Sequence, residues 1–124
     1  KFSRVQKKAE LKITDSNLFK ALQSEANRDI MYHEWQDYDW DCNIQQVKKE
    51  EFDILFYGVF FKDMILIFKV HSEDIGKEMR YSNKQHRGNT GEGQFHLNRQ
   101  TFKHHLDYHL FKTLTYGELL EWLK

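Results

Sequence analysis

The chain has no proline, and Cys42 is its single cysteine. One cysteine cannot form an internal disulfide, which fits a reducing compartment. We expect a cytoplasmic protein of bacterial or phage-like origin. The longest apolar run, Ile54–Phe61, is far too short to cross a bilayer as a helix, which argues against a membrane partner. Because the first residue is lysine rather than methionine, we expect a piece of a longer product.

The chain also has no net charge at pH 7, because 19 basic residues balance 19 acidic ones. This balance identifies no partner, and it argues against a protein that merely coats nucleic acid. With 40% hydrophobic and 31% charged residues, the composition is typical of a globular chain, and we expect one domain over residues 1–124. The 15% of aromatic residues predicts a well-filled core.

One long stretch, from Glu50 to His71, is rich in β-branched and aromatic residues. The polar pair Lys62-Asp63 interrupts it near the middle. Two apolar runs joined by a short polar break predict a β-hairpin. Since each run is almost continuously apolar, we expect both faces to be covered and the hairpin to lie at the centre of a sheet.

Helical patterns lie on both sides of this hairpin. The capping residues 14–16 precede apolar residues spaced at three and four, which predicts a helix over 17–31. Asn98 begins a second helical pattern that continues to Leu110. Thr115 and Glu118 have the spacing of a capping box and predict a third helix at the end of the sequence.

Further strands are predicted outside the hairpin. Acids alternate with aromatics over residues 37–41, and strand character continues through Cys42 to Gln46, so we expect a meander of three consecutive antiparallel strands. Gln94–Leu97 predicts another short strand. The fold class is therefore α+β, a central antiparallel or mixed sheet of three to four strands flanked by helices. If helices cover both faces, it is an α/β/α sandwich.

Two polar side chains stand inside the hairpin, Asp53 near the start of its first strand and Lys69 near the end of its second. A helix followed by such a hairpin resembles, over Phe52 to Glu73, the core of the PD-(D/E)xK nucleases. The resemblance implies a metal-dependent endonuclease acting on DNA, of toxin or restriction type. In such an enzyme Mg²⁺ polarises the phosphate and lowers the pKa of the attacking water, which the lysine assists.

This resemblance implies Asp53, Lys69 and Glu73 as catalytic residues and Asp53 and Glu73 as the Mg²⁺ ligands. The place of the family's second acid holds Ile67, which binds no metal. One of three other acids would replace it: Glu73, Asp74 or Glu25 on the first predicted helix.

The register of the hairpin decides whether this site exists. A plain two-residue turn places Phe56 opposite Lys69 and turns Asp53 to the other face of the sheet. A shift of one residue, from a longer turn or a bulge at Gly58, places Asp53 opposite Glu73 and on the face of Lys69.

Four of the seven histidines lie close together near the end of the sequence. His105 and His109 are four residues apart on the predicted helix, which is a metal-ligand spacing. The alternative chemistry is a metal-free ribonuclease toxin with one histidine as general base and another as acid, drawn from His96, His104 and His105. His105 also falls on the apolar stripe of the helix, where a buried, hydrogen-bonded histidine is commoner.

Residues 81–93 form a polar stretch with three of the six glycines. Cationic and amide side chains in such a loop suit phosphates and base edges, which predicts a nucleic-acid contact, with DNA as the expected partner. The residues assigned to this contact are Lys84, His86, Arg87 and Asn89. A third hypothesis is a non-catalytic immunity or inhibitor protein, whose acidic-aromatic run 37–41 faces a basic protein partner.

Overall fold

The computed structural model describes residues 1–8, 14, 16–83 and 92–124, without the side chains of residues 21 and 24–26. The strands are β1 Phe2–Arg4, β2 Asp41–Val47, β3 Ile54–Phe60, β4 Met64–His71, β5 Gly93–Asn98 and β6 Leu110–Thr115. The helices are α1 Leu18–Ala26, α2 Phe102–His109 and α3 Tyr116–Trp122. Short 3₁₀ helices lie at Tyr32–Glu34, Lys49–Glu51, Ser72–Asp74 and Lys77–Met79. The predicted α+β class is confirmed.

The strands form two sheets. The larger one is mixed and four-stranded, in the order β1-β3-β4-β6, with β1 parallel to β3 and the other pairs antiparallel. The smaller sheet pairs β2 with β5 in antiparallel orientation. The predicted meander is therefore wrong, because β2 pairs with a distant strand and not with the hairpin.

The hairpin itself was predicted correctly. The Phe61 amide donates to the Met64 carbonyl at 2.8 Å and closes a two-residue turn at Lys62-Asp63. The register is continuous along both strands, with Gly58 opposite Ile67 and no bulge. Of the two registers considered, the plain one is confirmed.

The core lies between the two sheets. Tyr57 stacks on Phe68 with ring centroids 5.1 Å apart, and the ring of Phe95 packs edge-on against Tyr57. From the smaller sheet, Cys42 and Ile44 face the same core and are buried. A second sheet thus covers the inner face of the larger one where helices were expected, because β2 and β5 each carry an alternating row of apolar side chains.

The helices agree with their predictions in part. The capping box of Thr115 and Glu118 is present at the start of α3, as predicted. The first helix ends at Ala26, earlier than predicted. The second ends at His109 and continues directly into β6, a strand that the helical pattern hid. None of the helices in the described ranges is long and apolar enough to cross a membrane.

Candidate functional site

Asp53 and Lys69 lie on opposite sides of the larger sheet. Asp53 stands one residue before β3, and its carbonyl accepts from the amide of Ser72 at 2.9 Å. Lys69 is paired with Phe56 across the hairpin. Because neighbouring positions of a strand face opposite sides, this register separates the acid from the lysine. The condition on which the metallonuclease assignment depended is not met.

The structure does not bring Asp53 and Glu73, the two acids assigned to Mg²⁺, into one cleft. Glu73 lines a cleft beside Lys69, but Asp53 is not among the residues that line it. The side chain of Glu25 lies outside the described part of the chain. Among the residues that are described, no group of three histidine, cysteine or acidic side chains is arranged to hold a metal ion.

Lys69, Glu73 and His104 do meet in one cleft, which has a volume of about 720 Å³. The ring of His104 packs against Tyr108 at 4.9 Å and against His109 at 5.3 Å between centroids. The imidazole of His104 has no hydrogen bond to any described group that would fix its orientation. The carboxylates of the cleft outnumber its one lysine, so its charge does not favour a phosphate; they belong to Glu73, Asp74 and Glu78.

His105 is a core residue and not an acid or base for catalysis. It is fully buried, its Nδ1 accepts from the Tyr57 hydroxyl at 2.7 Å, and its Nε2 donates to the His96 carbonyl at 2.9 Å. Burial lowers the pKa of His105 to about 4, chiefly through loss of solvation of the charged form. The histidine is thus neutral, hydrogen-bonded on both nitrogens and out of reach of a substrate, as its place on the apolar stripe indicated.

His96 has the geometry of an oriented base. It stands on β5 opposite Asn43 of β2, on the polar face of the smaller sheet, and its side chain is 25% exposed. Its Nδ1 lies 3.1 Å from each carboxylate oxygen of Asp41. The carboxylate holds the proton on Nδ1, which leaves the lone pair of Nε2 free. This is the arrangement of a histidine base with an orienting acid.

The backbone beneath His96 is fixed by further hydrogen bonds. The His96 carbonyl accepts from the Thr101 hydroxyl at 3.0 Å in addition to His105. The amide side chain of Asn98 donates to Asp41 at 3.2 Å, and its oxygen accepts from the backbone amide of Thr101 at 2.9 Å. The Asp41 side chain, through Asn98, and the His96 backbone, through Thr101, are therefore both tied to the turn between β5 and α2.

Asp41 and His96 line a cleft of about 240 Å³ with two cations nearby. Lys8 is paired with Asp39 at 3.3 Å, whereas the guanidinium of Arg80 pairs with no carboxylate of the described residues. Arg80 adopts a left-handed backbone conformation, with φ 55°, which costs a non-glycine residue about 1 kcal/mol. The cleft thus joins an oriented base to an unpaired guanidinium, a group that suits a phosphate.

The acidic-aromatic run 37–41 is engaged within the chain. Trp40 is buried, and the amine of Lys7 lies 4.9 Å from the Tyr38 ring. Asp39 and Asp41 have the partners given above. The surface predicted to face a basic protein is therefore largely used by internal contacts.

The sequence pointed to His96 but not to Asp41 or Arg80. Asp41 was named only as part of the acidic-aromatic run 37–41, and nothing near Arg80 in sequence marks it. The alternation of polar residues in β2 and β5 was a usable signal, because pairing those strands brings both polar rows together. The four residues assigned to nucleic-acid contact lie outside the described ranges; they are Lys84, His86, Arg87 and Asn89.

No protein-family model, no curated protein and no solved structure matches this chain. The resemblance to the PD-(D/E)xK nucleases over Phe52 to Glu73 therefore stays a prediction from the sequence. The assignment of function depends on the geometry of the cleft at His96.

Proposed function

We propose that the chain is a metal-free ribonuclease in which His96 is the general base and Asp41 its positioning residue. The observation that supports this is the pair of 3.1 Å contacts between Nδ1 of His96 and the Asp41 carboxylate. An imidazole held in this way, in an open cleft, is what proton abstraction requires. His96 was one of the histidines that the sequence offered for this chemistry.

RNA is the substrate that best matches a cleft of this kind. RNA carries its own nucleophile, the 2′-hydroxyl, so a positioned base is sufficient to begin the reaction. His96 Nε2 takes the proton of that hydroxyl, and the 2′-oxygen forms a bond to phosphorus. The bond from phosphorus to the 5′-oxygen breaks, and this oxygen takes a proton from solvent. The products are a 2′,3′-cyclic phosphate and a 5′-hydroxyl end.

Arg80 supplies the positive charge for this step. Negative charge accumulates on the non-bridging phosphate oxygens as the nucleophile attacks, and a fixed cation stabilises it. Arg80 lines the same cleft as His96, and a guanidinium offers two parallel donors to a phosphate. Lys8 is held by Asp39, so we assign the phosphate contact to Arg80 alone.

Cleavage of a single-stranded RNA in the presence of EDTA tests the proposal. We expect cleavage by the wild-type protein and a loss of about 100-fold or more in His96→Gln, the usual contribution of a positioned base. His104→Gln is the matched control, because that histidine lies in the other cleft and its variant should retain activity. Thermal unfolding of both variants verifies that they fold.

Three results would overturn this assignment. They are full activity in a folded His96→Gln protein, loss of activity in His104→Gln, and cleavage only when a divalent metal is added. The last would return attention to the metal-dependent hypothesis, in which case Asp53→Asn should abolish the activity. Under the proposal, Asp53→Asn has no effect.

A further inference from the structure

One end of the larger sheet leaves apolar side chains open on the side that faces away from the smaller sheet. Four of them are between 40% and 57% exposed; they are Phe2, Ile54, Phe56 and Phe111. Towards the hairpin turn the same side of the sheet is covered, since Ile65 and Leu114 are buried. The expectation that both faces of the hairpin are covered is therefore wrong for this end of the sheet.

These four exposed side chains form one surface, which we call the outer patch. Ile54 and Phe56 are two positions apart on β3 and so point to the same side of the sheet. The ring of Phe2 lies over Gly58, the next position on that side. The ring of Phe111 packs edge-on against that of Phe56, with centroids 5.4 Å apart. The outer patch thus extends across the sheet from β1 to β6.

Unpaired groups of both charges border the outer patch. On β4, the amine of Lys69 lies 6.0 Å from the ring centroid of Phe56 and 5.9 Å from that of Phe111. Lys69 and Phe111 also line the cleft of about 720 Å³ that holds three carboxylates, those of Glu73, Asp74 and Glu78. Neither Lys69 nor any of these acids forms an ion pair with a residue that the structure describes.

These charges indicate the kind of partner. A nucleic acid or an anionic membrane presents one sign of charge, and the acids beside the outer patch would repel it. A surface with an apolar centre, a free cation and free carboxylates fits another surface of the same composition. In a two-fold dimer the same patch serves on both copies, so that each charged group meets its opposite twice.

We propose that the outer patch is the interface of a two-fold homodimer, with Lys69 of each copy paired with Glu73 of the other. Lys69 lies near the end of β4, and Glu73 follows two residues beyond that end. A two-fold axis that passes between them produces both ion pairs at once. It also lays the exposed rings of Phe56 and Phe111 against the second copy.

The exposed area is sufficient for such a dimer. Along the cleft, Tyr108 and Leu110 extend the outer patch, with 73% and 41% of these residues exposed. With them, the exposed apolar and aromatic side chains offer roughly 600 Å² per copy, and the charged rim adds to this, against about 800 Å² per partner in an interface of standard size. We therefore expect a dimer that dissociates in the micromolar range.

The proposed dimer does not depend on the ribonuclease proposal. His96 stands on the polar face of the smaller sheet, opposite Asn43. The smaller sheet covers the inner face of the larger one, whereas the outer patch lies on its other face. A dimer formed through the outer patch therefore leaves both clefts at His96 open.

Sedimentation equilibrium over a range of concentrations tests this inference. Lys69→Glu and Glu73→Lys should each weaken the dimer by more than about tenfold, because each places like charges opposite one another across the interface. An equimolar mixture of the two variants should dimerise again, because each new charge then meets its opposite on the other chain. Lys62→Glu is the matched control, because Lys62 lies in the turn at the other end of the hairpin and its variant should dimerise like the wild type.

Phe111→Ser tests the apolar centre of the interface and should weaken the dimer about tenfold. Its control is Phe19→Ser on α1, because that ring is 74% exposed outside the outer patch. Thermal unfolding of each variant verifies that it folds.

Four results would overturn the proposed dimer. They are a wild-type protein that is monomeric at high micromolar concentration, a dimer that the changes at Lys69 and Glu73 do not weaken, a mixture of these two variants that stays monomeric, and a dimer that Lys62→Glu disrupts. Each is read from mass alone, so the ribonuclease proposal stands or fails separately.

Discussion

Nε2 of His105 donates a hydrogen bond to the carbonyl oxygen of His96 at 2.9 Å. One of these histidines lies in the core and the other lines the cleft. Because the core imidazole is held in turn by Tyr57, a chain of hydrogen bonds runs from β3 through α2 to the strand that presents His96. The buried histidine therefore has a structural role, and the partly exposed one is available for chemistry.

Replacing His105 by phenylalanine should destabilise the fold by about 2–4 kcal/mol, because the Tyr57 hydroxyl is left buried without an acceptor. Urea unfolding measures the change. Adding Tyr57→Phe removes the orphaned hydroxyl, so the double variant should be more stable than His105→Phe alone. A double variant whose loss equals the sum of both single losses contradicts the account.

Stability should fall in mild acid because of the same residue. The pKa of His105 is about 4 in the folded chain against 6.5 for an unperturbed histidine, so below about pH 6.5 the unfolded chain binds the proton first. The contribution of neutral His105 to the free energy of unfolding is complete above pH 6.5. It is lost as the pH falls towards 4, by up to about 3 kcal/mol. Urea unfolding at several pH values measures this slope.

The matched variant for the acid effect is His105→Gln, which has no titrating group at this position. Its unfolding free energy should depend less steeply on pH between about 6.5 and 4 than that of the wild type. An unchanged slope would show that other groups cause the acid loss.

Gly58→Ala should destabilise the larger sheet by about 1–3 kcal/mol. A Cβ atom there would meet the ring of Phe2 and would lie 2.6 Å from the Leu66 carbonyl oxygen, which belongs to the backbone of the paired strand. Gly117→Ala is the control of opposite sign, because the nearest atom to its Cβ is 3.8 Å away and alanine favours the helix. Thermal unfolding compares the two; equal effects would contradict the predicted close packing at Gly58.

Cys42 should be unreactive while the chain is folded. Its side chain is buried, and burial raises the pKa of the thiol to about 11, so little thiolate is present near neutral pH. We expect slow modification by a thiol reagent in buffer and rapid modification in urea. Equal rates in the two conditions would place the cysteine at the surface.

The sequence predicted the parts of the fold that depend on neighbouring residues. The turn at Lys62-Asp63 and the cap of Thr115 on Glu118 are both set within a few residues, and both were recognised. The pairing of β2 with β5 joins residues some half of the chain apart, and its pattern alone does not identify the partner strand. The strand β6 was hidden because Leu110 continues the helical spacing of α2.

In the candidate site too, local features were predicted from the sequence and long-range contacts were not. The apolar stripe correctly indicated that His105 is buried, because that inference needs the spacing of a single helix. His96 and Asp41 are 55 positions apart in sequence, and they come into contact because β2 pairs with β5. The relative placement of Asp53, just before β3, and Lys69 on β4 depended on the register of the hairpin, and the sequence left two registers open.

The most direct measurement on the central claim is the chemistry of the cleaved ends. A single-stranded RNA and its all-deoxy counterpart are incubated with the wild-type protein in EDTA, and the products are analysed by mass spectrometry. The account predicts that the wild-type protein cleaves only the RNA and leaves 2′,3′-cyclic phosphate and 5′-hydroxyl ends. It also predicts that the His96→Gln protein cleaves neither strand. Cleavage of the deoxy strand, 5′-phosphate ends, or no cleavage of RNA by a folded protein would contradict it.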